Sequence, residues 1–174
     1  RLPVTVSKTD NAYSITPSVG GLATGMAALT RLYTCKWVGY SGVASDKMSD
    51  TETDELAQTL IGKFGSVPVP LSSHDVKLYY NGFSNRTIWP LFHYFPVYTS
   101  YAPQTWDAYC RVNAAFYETV AELYEPGDSI WIQDYQLMLL PGLLRERFPE
   151  ARIGFFLHIP FPSFEVFRLL PWRK

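Results

Sequence analysis

Net charge is almost absent from this sequence. Its 15 Lys and Arg residues nearly balance its 16 Asp and Glu residues, which leaves a formal charge of -1 at pH 7. Proteins whose main partner is a nucleic acid or an anionic membrane usually have a strong positive field, so the sequence predicts neither partner. The apolar runs fall well short of the roughly 18 residues of a membrane span, and the first residues do not resemble a signal peptide.

Cysteine and histidine are also scarce. The only two cysteines are Cys35 and Cys110, too few and too isolated for a disulfide framework, so we interpret them as reduced thiols of a cytoplasmic protein. His74 has no Cys or His at metal-binding spacing and is interpreted as a solvated helix residue. The sequence therefore predicts no metal site and no cofactor.

Hydrophobic and aromatic residues are plentiful, at 47% and 16% of the 174 residues. A chain of this length is long enough for one packed domain and too short for two good ones. Aromatic rings often recognise sugars, but most of them are expected in the core, because aromatic side chains dominate core burial.

Residues 129–162 have the pattern of one βαβ unit. Residues 129–132 predict a buried strand, leucines at helical spacing predict a crossover helix, and residues 153–157 predict a second buried strand. Asp134 follows the first strand and His158 follows the second. Since ligands of open α/β sheets bind outside the carboxyl ends of the strands, both side chains are expected in one cleft.

The first third of the chain predicts less regular structure. Residues 1–6 resemble the tail of a strand, residues 7–17 a polar loop, and residues 18–32 the start and body of a helix. Gly20 and Gly21 precede that helix, where backbone N–H groups could approach a phosphate. A plain turn explains the same two glycines equally well.

The middle of the chain alternates short strands and helices. Residues 35–42 predict a strand that ends at a glycine turn, residues 45–58 a surface loop passing into a short helix, residues 60–71 a proline-edged strand and residues 72–80 the start of a helix. Residues 81–94 interleave rings with Asn and Ser. They form either a ring-packed corner or an aromatic wall facing a polar ligand.

Helical periodicity is clearest in residues 106–124. Tyr109, Val112 and Phe116 recur on one side, as in an amphipathic helix that packs on a sheet.

Several longer motifs then follow one another in an order that resembles a known family. They are Ser84-Asn85, the Trp-Pro-Leu-Phe-His-Tyr stretch at 89–94, Arg111-Val-Asn113, the Trp-Ile-Gln-Asp-Tyr-Gln-Leu stretch at 131–137, and the Gly-Phe-Phe-Leu-His-Ile-Pro-Phe-Pro stretch at 154–162. Together they resemble the α,α-trehalose-phosphate synthase (UDP-forming) family.

That resemblance implies an α/β fold, with a Rossmann-like parallel sheet flanked by helices, and the N-terminal half of a GT-B glycosyltransferase. In the family the N-terminal domain binds glucose 6-phosphate and the C-terminal domain binds the nucleotide sugar. Residues 1–174 are accordingly expected to form a single, truncated N-terminal domain that lacks the nucleotide-sugar domain.

On the acceptor side, the resemblance assigns four residues to glucose 6-phosphate. Arg1 matches an arginine that holds the acceptor phosphate, and a guanidinium fork suits that dianion. Tyr80 and Trp89 match an aromatic pair that lines the acceptor pocket. Asp134 matches the acidic residue that hydrogen-bonds the acceptor hydroxyls.

On the donor side, the resemblance assigns Gly20, Gly21 and His158 to UDP-glucose. The two glycines match a turn near the diphosphate, and His158 matches a histidine near the reacting carbon. Asp134 and His158 are thus the expected catalytic residues. Gln133 and Gln136 stand where many members have histidine, so no proton role is predicted at either position.

The implied reaction transfers glucose from UDP-glucose to glucose 6-phosphate, with retention at the donor carbon and without a protein nucleophile. The leaving diphosphate would take the acceptor proton, and the protein would position the reactants. The chain alone is expected to bind acceptor weakly and to turn over nothing, and it could form a homo-oligomer. Another GT-B transferase and a non-catalytic sugar-phosphate-sensing domain are the alternatives.

Overall fold

The computed structural model describes residues 1–9, 12–18, 20–26 and 32–173. They form two compact units, residues 1–73 and residues 74–174. Both units contain a parallel strand pair and helices, as the predicted α/β class requires.

The first unit combines a hairpin with a parallel strand pair. Its elements are β1 (Val4–Thr9), β2 (Ala12–Pro17), α1 (Gly21–Met26), β3 (Trp37–Gly39), a 3₁₀ turn (Ser45–Lys47), α2 (Asp50–Phe64) and β4 (Ser66–Pro68). Strands β1 and β2 are antiparallel with Val6 opposite Ile15, and β3 and β4 are parallel with Val38 opposite Val67. Residues 27–31 of the predicted first helix lie outside the described residues.

The predicted polar loop over residues 7–17 is wrong, because these residues belong largely to the β1–β2 hairpin. Val6, Tyr13 and Ile15 pack against the core cluster formed by Leu2, Val4, Leu56 and Leu60. The polar residues alternate with them, as expected of a strand with one face on a core. That period of two was hidden by the high Ser, Thr and Lys content of the segment.

Helix α2 is longer than predicted. It covers the second part of residues 45–58, predicted as a loop passing into a short helix, and the start of residues 60–71, predicted as a strand. It begins after Ser49, whose side chain forms a capping box with Glu52, and ends at Gly65 in a left-handed conformation with φ of 58°. The following strand covers only Ser66–Pro68.

The second unit has one long helix with a π-helical middle, one regular long helix and a βαβ unit. Its elements are α3 (Ser73–Val76), a π-helix (Lys77–Ile88), α4 (Trp89–Phe92), a 3₁₀ turn (Pro96–Tyr98), α5 (Pro103–Leu123), β5 (Ser129–Gln133), a 3₁₀ turn (Tyr135–Leu137), α6 (Leu140–Arg147), β6 (Arg152–Phe156) and α7 (Phe164–Phe167). Strands β5 and β6 are parallel, with Ile132 opposite Phe155.

A ring-packed corner is one of the two interpretations of residues 81–94, and the structure shows instead that a helix continues through this stretch to Phe92. From Lys77 to Ile88 the backbone has π-helical geometry, and the N–H of Trp89 donates to the carbonyl of Ser84, five residues earlier. Pro90 has no N–H of its own to donate. Gly82 lies so close to α5 that an added Cβ would approach the Thr105 methyl group to 2.8 Å.

Aromatic rings form much of the second unit's core. Phe83 is fully buried, and its ring centroid lies 4.7 Å from Tyr109, 5.2 Å from Trp106 and 5.7 Å from Trp172. Tyr109, Val112 and Phe116 are buried on one face of α5, which confirms the predicted amphipathic helix.

The prediction that β5 and β6 are both buried is wrong. Four of the five residues of β6 are exposed, including Phe155 and Phe156, and Trp131 in β5 is also exposed. In a two-stranded pair both strands are edge strands, so an apolar sequence alone does not ensure that their side chains are buried. Their parallel pairing and the helix between them are as predicted.

Candidate functional site

Asp134, just past the end of β5, has a strained backbone. Its φ of 71° and ψ of 169° lie in a region that is otherwise occupied almost only by glycine. Its N–H donates to the carbonyl of Phe156 at 2.7 Å, which extends the strand pairing by one bond. The neighbouring strand therefore helps to hold Asp134 in this conformation.

The Asp134 carboxylate is oriented by two backbone N–H groups. Oδ1 accepts from the N–H of Tyr135 at 2.9 Å and from the N–H of His158 at 3.1 Å. Oδ2 has no protein partner in the part of the chain that the structure describes. A carboxylate oriented by one oxygen leaves the other as an acceptor for ligand hydroxyl groups.

His158 lies beside this carboxylate, as predicted from the strand ends. Its exposed ring has a Nε2 atom 2.8 Å from Oε1 of Gln133, and its centroid lies 4.7 Å from that of Phe156. The contact with Gln133 was not predicted. The strand-end rule marks Gln133 as a candidate, because it is the last residue of β5, but the rule does not identify His158 as its partner.

Tyr135 interacts electrostatically with both Asp134 and Tyr80. The Tyr135 hydroxyl donates to Oδ1 of Asn85 at 3.3 Å. Burial, followed by the nearby charges of Asp134 and Tyr80, raises the pKa of Tyr135 to about 12, so its hydroxyl stays protonated at neutral pH. Tyr80 itself is 38% exposed, which leaves its ring available to a ligand.

A buried polar network supports the segment after Asp134. The Tyr109 hydroxyl donates to the carbonyl of Tyr135 at 2.7 Å and accepts from the N–H of Met138 at 3.0 Å. Tyr79 and Asn113 donate to the carbonyl of Gln136 at 3.1 and 3.2 Å.

Burial raises the pKa of both Tyr79 and Tyr109 well above the ordinary value, which keeps both hydroxyls as donors. No sequence prediction included this network. In the sequence, the one feature that indicates this network is the occurrence of Tyr and Asn on helix faces that are otherwise apolar.

Trp89 lies in the first turn of α4 and is 43% exposed. Its ring stacks on His93, with centroids 4.1 Å apart and an interplanar angle of 25°. His93 Nδ1 also lies 2.7 Å from the Trp89 carbonyl oxygen. His93 thus contacts both the ring and the backbone carbonyl of Trp89, while the indole remains partly exposed to solvent.

Arg1, Gly20 and Gly21 belong to the first unit. Arg1 is exposed, and its carbonyl accepts from the indole N–H of Trp37 at 3.1 Å. Within the described part of the chain, a Cβ added at Gly20 or Gly21 would meet no atom within 4 Å, so the backbone there is open to approach. The roles assigned to these three residues stay predictions.

Among residues 1–9, 12–18, 20–26 and 32–173, no group of three or more His, Cys, Asp or Glu side chains is placed to hold a metal ion. None of the helices in these ranges is long and apolar enough to cross a membrane.

Comparison with known proteins agrees with the predicted resemblance. An α,α-trehalose-phosphate synthase (UDP-forming) from Schizosaccharomyces pombe is 41% identical over 179 residues, which cover 100% of this chain and 34% of that protein. The chain thus spans only part of the length of such relatives, from 23% of the one from Dictyostelium discoideum to 38% of the one from Yarrowia lipolytica.

Solved structures are similar as well. One is described as trehalose-6-phosphate from E. coli bound with UDP-2-fluoro glucose, and it matches with 36% identity and a TM-score of 0.75 over 92% of this chain and 34% of that chain. Another is the α,α-trehalose-phosphate synthase (UDP-forming) from Burkholderia xenovorans in complex with glucose-6-phosphate. It matches with 32% identity and a TM-score of 0.68 over 90% of this chain and 34% of that chain.

These similarities confirm the predicted fold class, because the matched structures superpose on this chain with TM-scores of 0.68 and 0.75 and are 32% and 36% identical to it over the matched residues. The sequence model of Glycosyltransferase family 20 matches residues 1–174, the whole of the chain. The chain therefore belongs to glycosyltransferase family 20.

Proposed function

We propose that this chain is the acceptor-side part of a trehalose-phosphate synthase. The parent protein would transfer glucose from UDP-glucose to glucose 6-phosphate and form trehalose 6-phosphate with retention at the donor carbon. Family membership over the whole chain supports this proposal. So do the relatives named as UDP-forming trehalose-phosphate synthases and the similar structure in complex with glucose-6-phosphate.

The geometry of Asp134 is the observation that supports an acceptor site most strongly. Its strained backbone costs about 1–3 kcal/mol, and such strain persists where the surrounding structure enforces it, often at ligand sites. The strain places a carboxylate at the end of β5, with Oδ1 held by two backbone N–H groups. We assign Oδ2 to the hydroxyl groups of glucose 6-phosphate.

Tyr80 and Trp89 complete the acceptor side in this proposal. Both rings are partly exposed, and exposed aromatic faces suit the apolar side of a hexose. Stacking on His93 restricts the indole of Trp89, so less side-chain freedom is lost when a sugar binds. Tyr80 adds a hydroxyl that is able to donate to the ligand or accept from it.

His158 is proposed to contact the donor sugar near the reacting carbon. In the proposed front-face reaction the leaving diphosphate takes the acceptor proton, so the residues of this chain act by position and polarity. In the first unit, Arg1 is proposed for the acceptor phosphate, and Gly20 and Gly21 for the donor diphosphate. Both cysteines are free thiols, which supports the proposed cytoplasmic setting.

Calorimetric titration of the 174-residue chain with glucose 6-phosphate tests this proposal, with glucose and UDP-glucose as comparison ligands. We expect weak binding that prefers glucose 6-phosphate to glucose. Tyr80→Phe should weaken it several-fold, whereas Tyr98→Phe, at an exposed position after α4, should leave it unchanged. No turnover is expected from the chain alone.

Three outcomes distinguish the alternatives. Equal affinity for glucose and glucose 6-phosphate would favour another GT-B acceptor. Selective binding without synthase activity in the full-length parent protein would favour a sugar-phosphate-sensing domain. A folded chain that binds no sugar phosphate would contradict the acceptor site.

A further inference from the structure

The contact between Gln133 and His158 occupies one nitrogen of the imidazole and leaves the other nitrogen for a ligand. Gln133 is the last residue of β5 and pairs with Phe156, and His158 follows Phe156 by two residues. His158 lies in a bend just past the end of β6, and this bend brings its imidazole to the amide of Gln133. Their closest polar atoms, Oε1 and Nε2, are 2.8 Å apart.

An amide oxygen is only an acceptor, so Nε2 of His158 must carry the hydrogen in this contact. The neutral imidazole has one donor nitrogen and one acceptor nitrogen. With Nε2 as the donor, Nδ1 is left with an unshared electron pair. In the described part of the chain, Nδ1 has no protein partner.

Two further contacts restrict the imidazole. The backbone N–H of His158 donates to Oδ1 of Asp134 at 3.1 Å, and the ring lies at 60° to the ring of Phe156. These contacts hold the backbone and one ring face, but neither selects a tautomer. Of the residues that the structure describes, Gln133 alone contacts a ring nitrogen of His158.

We propose that Gln133 is a positioning residue that holds His158 in the Nε2–H tautomer and thereby presents Nδ1 as a hydrogen-bond acceptor. His158 then meets a ligand hydroxyl as a hydrogen-bond acceptor, through Nδ1, and not as a proton donor. Identification of that hydroxyl with one of the donor sugar rests on the proposed function. The tautomer itself does not.

Nitrogen NMR of the ¹⁵N-labelled chain tests this assignment, because Nδ1 and Nε2 have widely different shifts in the two tautomers. The chain has only three histidines, so His158→Gln assigns the signals of His158. Spectra are recorded at about pH 8.5, above the ordinary imidazole pKa of about 6.5, so that the neutral ring is observed. We expect a single Nε2–H form in the unsubstituted chain.

Gln133→Leu removes the acceptor with little change in volume. One net hydrogen bond corresponds to about a five-fold change in the ratio of tautomers, so the Nδ1–H form should become about five-fold more populated. Gln133→Glu keeps an oxygen acceptor and should restore the Nε2–H form. Gln136→Leu is the matched control, because it removes the other glutamine of the same motif, and it should leave the His158 signals unchanged.

An Nδ1–H ring in the unsubstituted chain would overturn the proposal, since it would mean that the amide NH₂ donates to His158. The same conclusion would follow if Gln133→Leu and Gln136→Leu had equal effects. The measurement on the unsubstituted chain decides the matter even if Gln133→Leu fails to fold. A correct tautomer in a chain that does not bind glucose 6-phosphate would contradict only the proposed function.

Discussion

The two units of the molecule bury different kinds of side chain. The core cluster of the first unit is aliphatic and consists of Leu2, Val4, Leu56 and Leu60. The second unit buries rings together with polar groups, and several of these donate to the backbone carbonyls of residues 135 and 136. An aliphatic core stabilises a fold without directional bonds, whereas the second unit also fixes the course of one loop, the loop that begins at Asp134.

The units also differ in where their backbones adopt positive φ. In the described part of the first unit, the residues with positive φ are glycines, Gly42 and Gly65. In the second unit, Asp134 and Tyr94 adopt positive φ although both carry a Cβ. The comparison indicates that packing in the second unit offsets the backbone strain of Asp134, the residue proposed to bind the acceptor.

The largest predicted effect is on the aromatic core. Phe83→Ala should lower the free energy of unfolding by about 3–5 kcal/mol, because a fully buried ring is removed from among three others. Urea denaturation measures the loss. Phe164→Ala, at a position that is 66% exposed, is the control and should cost far less. Similar losses for both would contradict the aromatic core described for this unit.

The next prediction separates the strain at Asp134 from its side chain. Asp134→Gly and Asp134→Ala both remove the carboxylate, but only glycine adopts φ of 71° and ψ of 169° at no steric cost. The glycine variant should therefore be more stable than the alanine variant by about 1–3 kcal/mol. At Gly62→Ala, within helix α2, we expect the ordinary order, in which alanine is the more stable residue. An ordinary order at position 134 would mean that Asp134 is unstrained.

A smaller effect distinguishes two buried hydroxyls in the π-helix. The Thr87 hydroxyl donates to the carbonyl of Ser100, so Thr87→Val should cost about 1 kcal/mol. Ser84 is equally buried, but among the described residues its hydroxyl has no partner. Ser84→Ala should be neutral or stabilising, because an unpaired buried hydroxyl is itself unfavourable. Thermal unfolding of the two variants in parallel tests the ranking, and the reverse order would refute it.

The smallest predicted effect is a pH dependence in the first unit. The side chain of Lys8, 2.6 Å from Glu52, and the backbone and hydroxyl groups of Ser49 lower the pKa of Glu52 from 4.5 to about 2. A lowered carboxylate pKa contributes stability above pH 4.5, and this contribution is lost as the pH falls through about 2.

Glu52→Gln should therefore lower the urea midpoint slightly at pH 7, and the difference should shrink as the pH falls below 4.5. The effect is small because solvent reaches both partners of the ion pair, whose side chains are 41% and 33% exposed in Lys8 and Glu52. Glu55→Gln on the same helix is the control. A difference that stays constant with pH would show that Glu52 acts through its shape and not its charge.

The part of the fold that could be predicted from the sequence is the part in which one pattern dominates. Apolar runs with a leucine-rich helix between them indicated the βαβ unit, and clear helical periodicity indicated α5. The positions of Asp134 and His158 followed from the rule that polar residues at the ends of parallel strands lie together. The structure brings these two residues together through a hydrogen bond.

Other features depend on contacts that a local pattern does not reveal. The β1–β2 hairpin is polar on one side, so its composition resembled that of a loop. Helix geometry continues through Trp89-Pro90 because of π-helical bonding, although a proline predicts a break. Gln133 received no role, because its role depends on the distance to a residue 25 positions later.

The most direct test of the central claim is the affinity of Asp134→Asn for glucose 6-phosphate, measured by calorimetry beside the unsubstituted chain. Asparagine keeps an oxygen for the N–H groups of Tyr135 and His158 but loses the charge offered to the ligand. If Oδ2 of Asp134 binds the sugar hydroxyls, the variant should stay folded and bind at least about ten-fold more weakly, the effect of losing one hydrogen bond to a charged group. Unchanged affinity in the folded variant would contradict the claim that this carboxylate forms the acceptor site.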